Sequence, residues 1–310
     1  MQLWALIKDG FRESRDRRIF WVMLLLSGCV AAAMFCMRFE PDGIDVLFGM
    51  WKFEAEQFSL NGALRTDVIA AVIVDGIMDT ALGSIGIMLS IIATAGFLPH
   101  LLEKGSIEVV VSKPIARWKL FLGRYLGGIS FVLFHATVFI GLTFLVAGVR
   151  WGVWLPGYLF AIPLVTLLFS FLYCISALTA VLTRGTITAV LVTLVAWTAF
   201  AGIQGLDDML NVGKPSADQH VMLTSLHVAR QIVPKTQDIL YLAKRWSHAA
   251  SASDLFLAEP DAGAQEVLNQ SRRAEAERMK IPAYQTLGSS LLFELVVLAV
   301  AIWRFSRMDF

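Results

Sequence analysis

Charge is scarce in this chain. Asp, Glu, Lys and Arg make up only 16% of its 310 residues, against about 25% in soluble domains. The little charge present is balanced, with 26 basic and 25 acidic residues and a net charge of +1. That balance excludes a generally basic nucleic-acid binder and a strongly acidic tail. Cysteine is nearly missing. Cys29, Cys36 and Cys174 sit in apolar runs, with no C-x-x-C pair and no neighbouring His. They read as small buried hydrophobes rather than as a metal or disulfide site. A phosphate-binding loop is missing too. Gly213-Lys214 is followed by Pro215 and lacks the earlier glycine of G-x-x-x-x-G-K-[ST], so no loop here cradles ATP phosphates. Intramembrane hydrolysis would need a paired nucleophile and base or a set such as H-E-x-x-H. Neither stands in the sequence, and His220 and His227, seven positions apart, are poorly spaced for one metal.

What the chain has in excess is apolar side chain. Hydrophobic residues reach 57%, with 23 glycines besides, and mean hydropathy is +0.66. A soluble globule this apolar could not cover its core with polar surface. Crossing a hydrocarbon core of about 30 Å takes about 20 apolar residues in a helix. Six stretches meet that length: 19–37, 80–102, 125–149, 155–182, 187–205 and 287–303. The fourth is long enough to tilt or to kink at Pro163. In lipid every backbone N–H and C=O must be satisfied within its own segment, so these spans are helices. The expected fold class is an all-α membrane protein with six transmembrane helices, forming a single domain over 1–310. Ala31-Ala32-Ala33 would suit signal cleavage, but the first apolar run is longer than a signal core and 18 polar and amphipathic residues precede it. It reads as a retained span.

Lys and Arg near span ends set orientation. Lys8, Arg12, Arg15, Arg17 and Arg18 precede span one. Lys104, Lys113, Arg117, Lys119 and Arg124 lie between spans two and three, Arg184 between four and five, and Arg304 and Arg307 after span six. The link between spans three and four has only Arg150, and the 38–79 loop has three basic residues against eight acidic ones. Both termini are therefore expected in the cytoplasm, in an inner membrane. The segment 206–286 is expected outside; its nine basic residues count little in so long a loop.

Residues 1–18 read as an amphipathic elbow helix lying in the headgroup plane. Leu3, Ile7 and Phe11 recur every four residues with Trp4 beside them, while Lys8, Arg12, Arg15 and Asp16 fall elsewhere on the wheel. Trp51-Lys52-Phe53-Glu54 alternates like a short extended piece. In the 206–286 segment, Met222, Leu226, Ala229 and Val233 form a helical stripe ended by Pro234. Ile239, Ala243 and Trp246 continue on a second short helix, and Glu266 to Lys280 is charged and helix-prone. The segment reads as a small cap over the outer mouth, or as a solvated connector.

The most informative stretch is 103–128, with 103–124 as the cytoplasmic link. Ser112 suits a helix cap and Pro114 a first helical turn. Ile115, Trp118 and Leu122 then share one face, while Lys113, Arg117 and Lys119 are available to the cytosol. The expectation is a short amphipathic helix at the membrane surface. Gly123, Gly127 and Gly128 would let span three approach a neighbour closely.

This stretch resembles the ABC-2 class of ABC transporter permeases. The residues that carry the likeness are Glu103, Gly105, Ser106, Glu108, Ser112, Lys113, Pro114, Arg117, Gly123, Arg124 and Gly127. The elbow helix, the six spans and the closing Trp303-Arg304-Phe305 are also similar to that class, so the likeness runs the length of the chain. Within the class it is similar to permeases like the membrane subunit of the nitrous-oxide-reductase copper maturation system. The resemblance implies a type V exporter-like transmembrane domain that works as a dimer, with a second copy or a related protein. It implies that residues near 112–122 form the helix that couples to a cytosolic ABC ATPase, with Glu103, Gly105, Glu108, Ser112, Lys113, Pro114, Arg117 and Trp118 as its site. ATP would then sit on the partner subunit, and this chain would bind no cofactor or metal of its own, no nucleic acid, and only lipids besides its protein partners.

Ionisable groups inside a membrane are functional candidates by default. His135 stands near mid-depth in span three and Glu294 in span six. The two could pair, either as a polar patch along a translocation path or as an interhelical hydrogen bond. The resemblance implies an exporting permease. A non-translocating scaffold coupled to an ATPase is the alternative, and an intramembrane hydrolase a remote one.

Overall fold

The computed structural model describes residues 12, 15–16, 18–40, 43–47, 49–54, 76–102, 116–212, 229, 233–247 and 283–308. Among them, six helices are long and apolar enough to cross a membrane, and the chain is an all-α multi-pass bundle. Most of the elbow helix and the stripe around Met222 lie outside the described residues, as do Glu266 to Lys280 and positions 103–115.

Span one is the helix Arg18–Phe35. Beyond it stand three short antiparallel strands, β1 (Met37–Glu40), β2 (Gly43–Val46) and β3 (Trp51–Glu54), in the order β1-β2-β3. The Trp151 indole N–H donates to the Met37 carbonyl at 3.3 Å and ties this sheet to the end of span three.

Span two has three parts. A π-helix, Ile77–Gly86, leads into the α-helix Ile87–Thr94 and a last turn, Phe97–Leu101. A Cβ on Gly86 would stand 2.7 Å from the Ala81 carbonyl oxygen. The missing side chain is what lets the backbone five residues back come this close.

Span three is one unbroken helix, Arg117–Trp151, of 35 residues, about 52 Å at 1.5 Å per residue. Here the structure corrects the expected layout. Positions 117–124 are not part of a separate surface helix; they are the first two turns of the spanning helix. Apolar-run length reports contact with lipid, and hydrogen bonding carries the helix past that boundary. Ala116, extended at φ −61° and ψ 134°, starts the helix without a side-chain cap. Gly152, at φ +72°, ends it by donating its N–H to Ala147 and Gly148 carbonyls, the left-handed stop that glycine adopts without strain.

Span four begins as a 3-10 turn, Pro156–Phe160, and continues as the helix Ala161–Thr183. Pro163 is the third residue of that α-helix. The first α-turn is where a helix tolerates proline best. Span five is Thr186–Val212 and span six Ala283–Ser306. A short helix, Thr236–Ser247, lies across the bundle end opposite Arg117 and buries Ile239 and Leu242.

Span four is the hub. It packs against spans two, three, five and six and the short helix, and Leu168, Phe169, Phe171, Leu172 and Cys174 are wholly buried. A helix apolar on every side belongs in the middle of a bundle. Span one leans on span three. Span five leaves Ile187, Leu191 and Val195 exposed.

Candidate functional site

At the basic end of the bundle, the first turn of span three meets the last turn of span six. Arg117 Nη1 donates to the Met308 carbonyl at 2.6 Å and lies 3.2 Å from the Ser306 carbonyl. A guanidinium at a helix C-terminus pairs with carbonyls that have no partner in their own helix and with the negative end of its dipole. Trp118, the next residue, is 45% exposed, and Lys119 Nζ stands 5.5 Å from its ring centroid. Two neighbouring residues of the expected coupling site thus face different ways, one into the bundle and one out of it.

From this clamp a ladder of aromatic rings runs inward. Phe305 and Phe121 have centroids 5.7 Å apart, Phe121 and Tyr125 6.4 Å, Tyr125 and Tyr173 5.1 Å, and Tyr173 and Phe169 5.1 Å. The last three pairs are near-parallel stacks at spacings that favour attraction. A Cβ on Gly128 would fall 2.7 Å from Tyr173 ring atoms. The glycine is what admits the ring between spans three and four.

The ladder passes Glu294. Its Oε1 accepts from the Tyr125 hydroxyl at 2.7 Å, and its Oε2 from the Ser170 hydroxyl at 3.2 Å. Tyr125 Oη also lies 3.0 Å from the Ser170 carbonyl. One buried carboxyl therefore joins spans three, four and six.

The expected partnership of His135 with Glu294 is not found. His135 Nδ1 lies 2.9 Å from the Phe131 carbonyl and Nε2 3.2 Å from the Phe20 carbonyl. Its ring packs edge-on to Phe20 at 4.8 Å. His135 faces span one, whereas Tyr125, ten residues earlier on the same helix, faces spans four and six. Pairing was plausible from depth alone, and rotation about the helix axis separates the two.

At the opposite end, Gln204 of span five holds the start of the short helix. Its Nε2 donates to the Pro234 carbonyl at 3.0 Å, and its Oε1 accepts from the Gln237 N–H at 3.0 Å. The Lys235 N–H donates to Ser290 Oγ of span six at 3.1 Å. Of these residues only Pro234 stood out in the sequence, and as a helix stop rather than as a partner. A buried Gln at the end of an apolar run was the only signal, and it names no partner. Glu103, Gly105, Glu108, Ser112, Lys113 and Pro114 lie outside the described residues.

The profile of the ABC-2 family transporter proteins matches residues 4–310. The chain belongs to the ABC-2 transporter family. As an ABC-2 family member it is a multi-pass membrane subunit of an ABC transporter, and the family implies an ABC ATPase as its partner. The match is to the family as a whole and does not single out the copper-maturation branch. Comparison with curated proteins finds no match.

Proposed function

We propose that this ABC-2 subunit is an exporting permease, driven by a separate cytosolic ABC ATPase that grips the chain just ahead of span three. In this reading both termini and the basic end of the bundle face the cytoplasm of an inner-membrane protein, and 206–286 lies outside. Residues 103–124 carry the contact, with Glu103, Gly105, Glu108, Ser112, Lys113 and Pro114 shaping the approach and Trp118 offering an apolar ring to the partner. Two permease subunits, identical or related, complete the membrane unit.

The observation that supports this reading best is the split between Arg117 and Trp118. Trp118 is exposed on the first turn of span three, while Arg117 bolts that turn to span six. A push on Trp118 would reach span six through Arg117, and spans four and six through the Tyr125–Glu294–Ser170 bonds. Spans three, four and six would then move as one body. Binding or hydrolysis of ATP occurs wholly on the partner.

The test is affinity purification of the chain from native membranes, scoring co-purified subunits that carry a Walker A loop. Such a subunit is expected with the intact chain, and its recovery is expected to fall about tenfold for Trp118→Glu, a loss near 1.4 kcal/mol of contact, at unchanged thermal stability. Undiminished recovery would remove Trp118 from the contact. Failure to recover any such subunit would leave the scaffold and exporter readings equally without a motor. Recovery together with no ATP-driven substrate movement in reconstituted vesicles would favour the scaffold.

A further inference from the structure

A cavity opens in the side of the bundle, away from the Arg117 clamp and the Glu294 network. It is walled by spans one, two and three with Val165 of span four behind, and its volume is about 680 Å³ counted out to its mouth. Part of that space is open to the surroundings, so the enclosed part is smaller. The span-two wall is built partly from the π-helix, including Ala81, Ile85 and Gly86. Helical turns of this wider kind are rare and gather at functional sites.

The lining decides what fits. It is almost wholly apolar, with Ser27, Ser90 and His135 as its polar residues. Ser27 Oγ donates to the Met23 carbonyl of its own helix at 2.8 Å, and both His135 ring nitrogens lie against backbone carbonyls. Among the described residues, no charged side chain lines the space. Water needs two to four polar partners to occupy a cavity, and these walls offer few.

The position decides where the occupant comes from. Leu26 and Ile85 stand on the lining and are 41% and 47% exposed, so the mouth faces sideways at the level of the spans. Ser27 lies nine residues from Arg18 and eight from Phe35, about 12–14 Å from either end of span one. That is mid-membrane, among acyl tails and far from any headgroup.

We propose that this cavity is a binding site for one acyl chain of a bilayer phospholipid, which enters between spans one and two and lies along the π-helical wall. The tail lies among side chains as apolar as itself. The headgroup stays at the membrane surface and is not recognised. The site is independent of the ATPase-coupled reading.

The test uses the full-length protein in phosphatidylethanolamine–phosphatidylglycerol vesicles doped with a phosphatidylcholine that carries a mid-chain diazirine. After photolysis, labelled residues are located by peptide mass spectrometry. Label is expected on Val132 and Ala136, which are buried on the cavity wall, as well as on Leu191 and Val195, which face lipid on span five. Ala136→Trp should abolish the label at Val132 and leave Leu191 and Val195 unchanged. Ala81→Phe, from the facing wall, should do the same and carries the test if Ala136→Trp does not fold. Label confined to Leu191 and Val195 in the intact protein, or label at Val132 that survives the filling substitution, would overturn the assignment.

Discussion

Arg117 and Met308 are 191 positions apart, yet the guanidinium of one donates to the carbonyl of the other at 2.6 Å. This bond makes the start of span three and the end of span six a single corner. Any force applied to residues just before Arg117 is delivered to two helices at once.

Removing that corner should loosen the end of span six without unfolding the bundle. Arg117→Ala is expected to destabilise by about 1 kcal/mol, the usual scale for a cation at a helix C-terminus. Amide exchange at 304–308 should accelerate, while exchange in span four stays unchanged. Arg117→Lys should recover part of the protection. Hydrogen exchange in detergent or nanodiscs checks this directly, and unchanged exchange at 304–308 would remove the clamp.

Glu294 should behave as a structural tie. Glu294→Ala removes the acceptor that Tyr125 and Ser170 share, but their hydroxyls keep the Ser170 and Leu167 carbonyls at 3.0 and 2.8 Å, so the expected cost is about 1 kcal/mol. Glu294→Gln keeps an acceptor for Tyr125 and should retain most of the stability. Thermal unfolding separates the two. If the Gln variant folds normally but transport stops, the carboxyl has a role beyond the tie.

Gly128 sits against the hydroxyl end of the Tyr173 ring. Gly128→Val should destabilise by about 1–3 kcal/mol through overpacking, and Tyr173→Ala should relieve part of that cost in the double variant. A double-mutant cycle that returns simple additivity would mean the two do not share the contact.

Gly86 and Gly28 predict opposite outcomes for the same substitution. Gly86→Ala sets a Cβ against the Ala81 carbonyl and should lower the unfolding temperature, because backbone must move. Gly28→Ala meets nothing within 4 Å and should be neutral or slightly stabilising. Matching effects at both positions would remove the argument from the π-helix.

Much of the architecture was legible in the residue order. The six spans were visible because hydrocarbon thickness imposes a minimum apolar run, and Trp51-Lys52-Phe53-Glu54 does form a strand. The ABC-2 resemblance rested on the run from Glu103 to Gly127, and the family match covers nearly the whole chain. Other features were misread for identifiable reasons. Span three extends two turns beyond its apolar run because hydrogen bonding, unlike lipid contact, does not stop at a charged residue. Arg117 looked available to the cytosol because nothing local points to Met308.

By itself the order of residues determined that this chain lives in a bilayer and where its helices cross, since both follow from local hydropathy and the demand that every peptide group be bonded in lipid. Only the tertiary structure decided which polar groups meet. His135 went to a carbonyl of span one and Glu294 to hydroxyls of spans three and four. That choice depends on how each helix is rotated about its axis, and packing against span four sets the rotation for most of them. A sequence of nearly uniform apolar spans carries too little periodicity to announce it.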